Sequence, residues 1–149
     1  MSTRCQIRFQ DKNTIAQIYR HSDGYPDREG GVISDLIEYA KAVQDNRMDD
    51  PSYCAANFIH WCKLQHEKGD PKYTPRFSST GYGVEDPAKG IHGDEAYLYV
   101  VEYPNIKVSH DFPSWDKDNA HAFEKAGWEF DGTLEEAYKK YVLTKKEVE

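Results

Sequence analysis

The sequence predicts an α+β fold in which an antiparallel sheet of about four strands, built as two hairpins, is covered by helices in the order ββααββαα. Three observations predict it. Near the N-terminus, Cys5, Ile7 and Phe9 alternate with Arg4, Gln6 and Arg8, the period-two pattern of a strand with one buried face. Further on, Ile33, Leu36, Ile37, Ala40 and Val43 recur at the spacing of one helix face. Finally, "EAYLYVVEY" at 95–103 alternates again, with apolar residues on both of its faces.

The elements follow in chain order. After the first strand, "QDKNT" at 10–14 supplies turn chemistry, and "TIAQIYRH" at 14–21 resumes as a β-branched and aromatic run, completing the first hairpin. Residues 22–31 are rich in Gly, Pro and Asp and turn the chain into the first helix. A second helix starts with Asp50 as N-cap and Pro51 at the first helical position, where its missing N–H costs nothing, and stops at Gly69. Cys54, Phe58, Trp61, Cys62 and Gln65 share one of its faces. Residues 70–94, with several Pro and Gly, read as one long loop, a length often associated with function or mobility. The strand at 95–103 then turns through "PN" into "IKVSH" as the second hairpin. A short helix is expected around Asn119–Ala126, ended by Gly127. Thr133 followed by Glu136 forms a capping-box signature for a last helix with Leu134, Ala137, Tyr138 and Tyr141 on its docking face.

The 149 residues suit a single domain, 1–149, that can bury a core without metal or disulfide. Three cysteines cannot all pair, and Cys54 and Cys62 lie too far apart along one helix to bridge, so buried reduced thiols are expected. The formal charge of −7 disfavours broad nucleic-acid binding, which depends on many Lys and Arg releasing counterions. No membrane-spanning stretch is present, and "MSTRCQIRFQ" lacks the apolar core of a signal peptide, so a cytoplasmic setting is expected.

Several segments together, "STR" at 2–4, "IYRHSDGYP" at 18–26, "DL" at 35–36, "DPSYCAANF" at 50–58 and "GDEAYLYVV" at 93–101, resemble a group of small prokaryotic and phage proteins without an established activity. The likeness spans roughly residues 2–103. It implies a shared compact fold and a cytoplasmic setting and transfers no catalytic residue. The remainder, a helical extension at 112–149, has no counterpart in that group.

Candidate chemistry concentrates at strand ends. "HSD" at 21–23 is echoed by "HGD" at 92–94, so His21, Asp23, His92 and Asp94 could supply imidazole and carboxylate ligands to one divalent ion, as in a metal-dependent hydrolase. The competing reading makes both Asp residues turn formers and both His residues surface groups. A second possibility is a site for a small polar or nucleotide-like ligand where the second strand meets its turn and the third begins. Arg4, Tyr19, His21, Asp23, Tyr25, Asp94 and Tyr97 would line it, Arg offering a rigid donor fork and Tyr an apolar face with a polar tip. Arg20 points to the opposite face from Tyr19 and His21 by strand alternation. Tyrosines forming the sheet-to-helix core explain the same composition.

Other motifs lead less far. "GYGVEDPAKG" at 81–90 lacks the ending of a P-loop, and no nucleophile elbow is present, so no cofactor is predicted and catalysis is left open. Carboxylates at Asp45, Asp49, Asp50, Asp86, Asp94, Glu95, Asp111, Asp116 and Asp118 suggest a third class of function. This is an acidic module docking on a basic protein surface, as a phage inhibitor of a host factor would. Ordinary solubility explains the same charges.

Overall fold

A computed structural model describes residues 2–43, 47–67, 81–113 and 119–144. Its centre is β1 (Cys5–Gln10), flanked on one side by β2 (Ile15–Arg20) and on the other by β4 (Tyr97–Glu102). The sheet extends through β3 (Tyr82–Glu85) beyond β2, and through β5 (Asn105–Ser109) and β6 (Phe130–Thr133) beyond β4, giving the order β3-β2-β1-β4-β5-β6. Among the described residues, four α-helices accompany it: α1 (Val32–Ala42), α2 (Pro51–Glu67), α3 (Ala122–Lys125) and α4 (Leu134–Tyr138).

This corrects the expectation of a four-stranded antiparallel sheet. Both expected hairpins exist, with Ile7 opposite Ile18 and Val101 opposite Ile106, but they join through a parallel pairing of β1 with β4, in which Ile7 lies beside Tyr99. The sheet is therefore mixed. Parallel neighbours need a long crossover, supplied here by the chain that includes α1 and α2, and local periodicity says nothing about which strands such a crossover brings together. β3 lies inside the segment expected to be loop, and β6 inside the segment expected to be helical. Each has four residues and contains a glycine, Gly83 or Gly132, which leaves no alternation long enough to read.

The two faces of the sheet are covered differently. On one, Cys5, Ile7, Phe9, Ile18, Tyr99, Val101, Ile106 and Val108 form the principal core with α1, α2 and α4. α2 begins as its sequence requires: the Asp50 carboxylate accepts from the backbone N–H of Ser52 at 3.1 Å and Tyr53 at 3.2 Å, and Cys54, Ala55, Phe58 and Cys62 are buried. Its expected stop at Gly69 lies outside the described residues. α4 starts with the full capping box of Thr133 and Glu136 and runs on through a wider, π-type turn at Lys139–Leu143. All three cysteines are buried and free of disulfides, and burial pushes each thiol up to about 12.

An ion pair lies within this core. Arg20 is fully buried, with its guanidinium 2.9 Å from the Asp35 carboxylate of α1 and donating to the carbonyls of Gly30 at 2.8 Å and Ser22 at 3.0 Å. On the other face, Leu98 and Val100 pack under Ile91, Ala122 and Phe123, so the chain at 86–96 and α3 form a second, thinner cover.

Candidate functional site

Beneath the second cover lies a buried polar row. Gln6, Arg8 and Gln17 occupy the face of β1 and β2 that alternation turns away from the principal core, and all three are buried. Arg8 donates to Gln17 at 2.8 Å and to the Pro87 carbonyl at 3.0 Å, with its guanidinium 4.0 Å above the Phe123 ring. Gln17 donates to Gln6 at 2.6 Å and to the Gly90 carbonyl at 2.7 Å, and Gln6 donates to Glu95 at 2.7 Å. Glu95 is itself buried and accepts the backbone N–H of His92 and Gly93, both at 2.9 Å. Gly90 has φ +72°, and a Cβ there would meet the Asn119 carbonyl oxygen at 2.0 Å, so only glycine allows the two layers to close. The row thus fixes the loop at 90–95 onto the sheet, since each buried polar group has a partner.

The loop so held carries His92 and Asp94 to the end of the sheet where β1 begins and β2 ends. The His92 ring lies 4.5 Å from the Tyr19 ring, centroid to centroid, and its Nε2 is 2.6 Å from the Glu85 carboxylate of β3. The hydroxyl of the same tyrosine bonds to His21 Nδ1 at 2.9 Å. Arg4 pairs with Asp94, and the Arg4 carbonyl accepts the Ala96 N–H at 2.8 Å. Burial and the nearby Asp94 charge push the Tyr19 hydroxyl up from its usual range, so the phenol stays protonated and can donate. Arg4 Nε and Asp94 Oδ1 are buried without a hydrogen-bond partner.

Of the residues named from sequence, Arg4, Tyr19, His21, His92 and Asp94 gather at this end. Asp23, Tyr25 and Tyr97 do not. Asp23, at φ +58°, accepts from the Tyr25 hydroxyl at 3.0 Å, and Arg28 stacks on the Tyr25 ring at 4.3 Å. Their turn folds toward the helix-covered face: Gly24 sits so close to β1 that a Cβ would meet the Thr3 carbonyl at 2.8 Å, and its own carbonyl accepts from buried Tyr99 at 2.6 Å. Tyr97 packs against Tyr99 and the principal core, on the opposite side of the sheet from Tyr19. The sheet separates the two groups. Arg20 points away from Tyr19, as alternation requires.

The four-ligand metal set of His21, Asp23, His92 and Asp94 is accordingly not assembled. Among the described residues, the donors that come together are His92, Asp94 and Glu95, within 4.8 Å of one another. Both Glu95 oxygens already accept protein N–H groups and Asp94 is held by Arg4, so the cluster fits a bonded loop better than a vacant coordination shell. Several carboxylates of the suggested acidic face are likewise engaged at home: Asp50 caps α2, Asp86 accepts from Ala88 at 3.0 Å, and Glu95 is buried. Asp45, Asp116 and Asp118 lie outside the described residues.

Sequence reasoning missed Glu85, and it placed Glu95 only on an acidic surface rather than in the buried row. Glu95 had a signal, since a carboxylate directly after "HGD" can fold back on the N–H groups of that turn. Glu85 had none, because nothing local announces β3. No helix of the described residues is long and apolar enough to cross a membrane. Comparison of the chain with protein-family models, curated proteins and solved structures returns no match.

Proposed function

We propose that the chain is a binding domain for a small, planar, polar ligand held where Tyr19, His21, Glu85, His92 and Asp94 meet. The observation that carries this reading is the contact of Tyr19 with two imidazoles, one packed against its ring at a tilt with centroids 4.5 Å apart and one bonded to its hydroxyl at 2.9 Å. Those two histidines come from segments some seventy positions apart in the chain, and a buried hydrogen-bonded row holds the second segment in place. Half-exposed His92 and partly exposed Glu85 leave this cluster open to solvent.

The balance of charge narrows the ligand. Among the described residues, Glu85 pairs with His92 and Asp94 with the Arg4 guanidinium. Among the described residues, a phosphate would meet carboxylates and no uncommitted Lys or Arg. A planar head that donates hydrogen bonds, such as a nucleobase amine or an amidine, would stack on the rings and reach the carboxylates.

A thermal-shift and NMR panel of adenine, guanosine, cytidine and agmatine tests the reading on wild type, Tyr19→Ala and His92→Ala. At least one compound should raise the Tm of wild type and perturb the Tyr19, His21 and His92 signals, with the effect lost in both variants. Silence from the whole panel, or a shift that survives both substitutions, would overturn it.

A further inference from the structure

Among the described residues, the charged groups gathered at His92 are mostly carboxylates. Glu85 of β3 lies 2.6 Å from its Nε2, and Asp94 and Glu95 of its own loop cluster with it, their donor atoms all within 4.8 Å of one another. Asp94 is paired with Arg4, at the approach to β1, and Glu95 is held by the loop N–H groups of His92 and Gly93. Tyr19 of β2 packs against the imidazole, and His21 bonds to the hydroxyl of that tyrosine. A carboxylate only accepts, so Nε2 carries the hydrogen of the bond to Glu85, and a further proton on this ring can go only to Nδ1. With that proton His92 is itself a planar cation, lying against Tyr19 and bonded to Glu85. A cationic ligand would use the same two features, an aromatic face and a carboxylate.

Resting on the binding reading above, we propose that the ligand of this site is an amidinium or guanidinium cation and that it competes with a proton on His92. The neutral imidazole leaves the Glu85 charge uncompensated and offers the ligand a ring to lie against. The imidazolium neutralises Glu85 and repels a second cation. Histidine is the type of side chain that changes charge between about pH 5 and about pH 8, so the site takes its ligand in neutral and mildly alkaline solution and releases it in acid. The competition is reciprocal, and the ligand drives the proton off His92 as it binds. Half-exposed His92 can pass that proton directly to water.

The test is an NMR titration of the full chain with benzamidine, a planar amidinium, set against benzamide, its neutral isostere, between about pH 8 and about pH 5.5. Benzamidine affinity should fall by at least about fivefold toward acid, approaching about tenfold per pH unit once His92 is charged. Benzamide should bind at least about fivefold more weakly than benzamidine at the alkaline end. At the midpoint of the fall, adding benzamidine should move the ¹⁵N signals of the His92 ring from imidazolium toward imidazole. His92→Phe keeps a ring beside Tyr19 and takes no proton, so its benzamidine affinity should not vary with pH. No benzamidine binding at any pH, equal binding of benzamide, a flat profile, a His92 ring that keeps its proton on binding, or a pH dependence that survives His92→Phe would each overturn the proposal. The wild-type measurements decide it alone, even where the variant folds or binds poorly. A flat profile or a retained proton leaves the binding reading standing, and a failure of benzamidine to bind ends that reading only when adenine, guanosine and cytidine are silent as well.

Discussion

The two faces of the sheet bury their residues by different means. The helix-covered face is apolar, with the ion pair of fully buried Arg20 and nearly buried Asp35 set into it. The thinly covered face hides Gln6, Arg8, Gln17 and Glu95 in a continuous hydrogen-bonded row. An apolar core is nondirectional and tolerates small shifts, whereas a row of amides and charges works only in one register, because any slip leaves a desolvated group without a partner. The difference teaches where rigidity of position is needed. The loop bearing His92 and Asp94 is attached to the polar row, and the contact of the His92 and Tyr19 rings depends on that attachment.

High pH should separate the faces most strongly. All three thiols belong to the helix-covered core, and each is pushed from an ordinary value of 9.0 up to about 12 by burial. A raised folded pKa means that the fold favours the protonated thiol. Its stabilisation is complete below pH 9 and is lost as pH rises toward 12, because the unfolded chain releases protons that the folded chain retains. Urea unfolding followed between pH 8 and 11 should show a steep fall, and Cys54→Ala should make it shallower by one group's share. A flat profile would mean that the thiols are not closed off from water.

Next in size is the ion pair. Arg20→Ala leaves Asp35 charged in a nearly dry site and strips the Gly30 and Ser22 carbonyls of their donor, a loss of about 3–5 kcal/mol in chemical denaturation. Joint replacement, Arg20→Met with Asp35→Leu, should recover much of it, since apolar side chains of similar volume suit that face. If the joint variant is as damaged as the single one, the pair is worth more than its surroundings suggest.

On the polar face the expected loss is smaller but reaches further. Gln6→Ala removes a donor to Glu95 and an acceptor for Gln17 at once, which should lower stability by about 1–3 kcal/mol. It should also loosen the 90–95 loop, visible as faster amide exchange at His92 and Gly93 and loss of the ring-current shift between Tyr19 and His92. Arg20→Ala, although more destabilising, should leave those signals in place. Were the two variants to disturb the site equally, the claim that the polar row positions it would fail.

How far each feature could be read from sequence follows the same division. Elements specified by neighbours in the chain were legible: the alternation in β1, the helical spacing at Ile33–Val43, the Asp50–Pro51 start of α2. What depended on pairing across the chain was not. Gln6, Arg8 and Gln17 read as the wet side of a half-buried strand because polar alternation looks the same whether a later loop covers it or water does. The parallel contact of β1 with β4 and the edge strands β3 and β6 were hidden for the same reason. At the site, alternation correctly placed Tyr19 and His21 apart from Arg20. It could not show that the turn after β2 carries Asp23 and Tyr25 to the other side, where Gly24 meets Thr3 and Tyr99.

The smallest effect expected is at the most local feature, the Thr133 capping box. Thr133 Oγ1 accepts the Glu136 N–H at 3.1 Å while the Glu136 carboxylate accepts the Thr133 N–H at 3.0 Å, closing two helix-end donors on each other. Thr133→Ala should cost about 1 kcal/mol and Thr133→Ser almost nothing, because the serine hydroxyl occupies the same place. The hydrogen bonds from Thr133 hold the Glu136 carboxyl below its ordinary value of 4.5. A depressed folded pKa gives stability that is present above that value and lost as pH falls through the folded one, so the gap between wild type and Thr133→Ala should narrow in acid. α4 docks on the helix-covered face and touches nothing in the polar row, so neither substitution should alter the Tyr19 and His92 signals. A change there would show that the two faces are coupled through the sheet, against the division drawn between them.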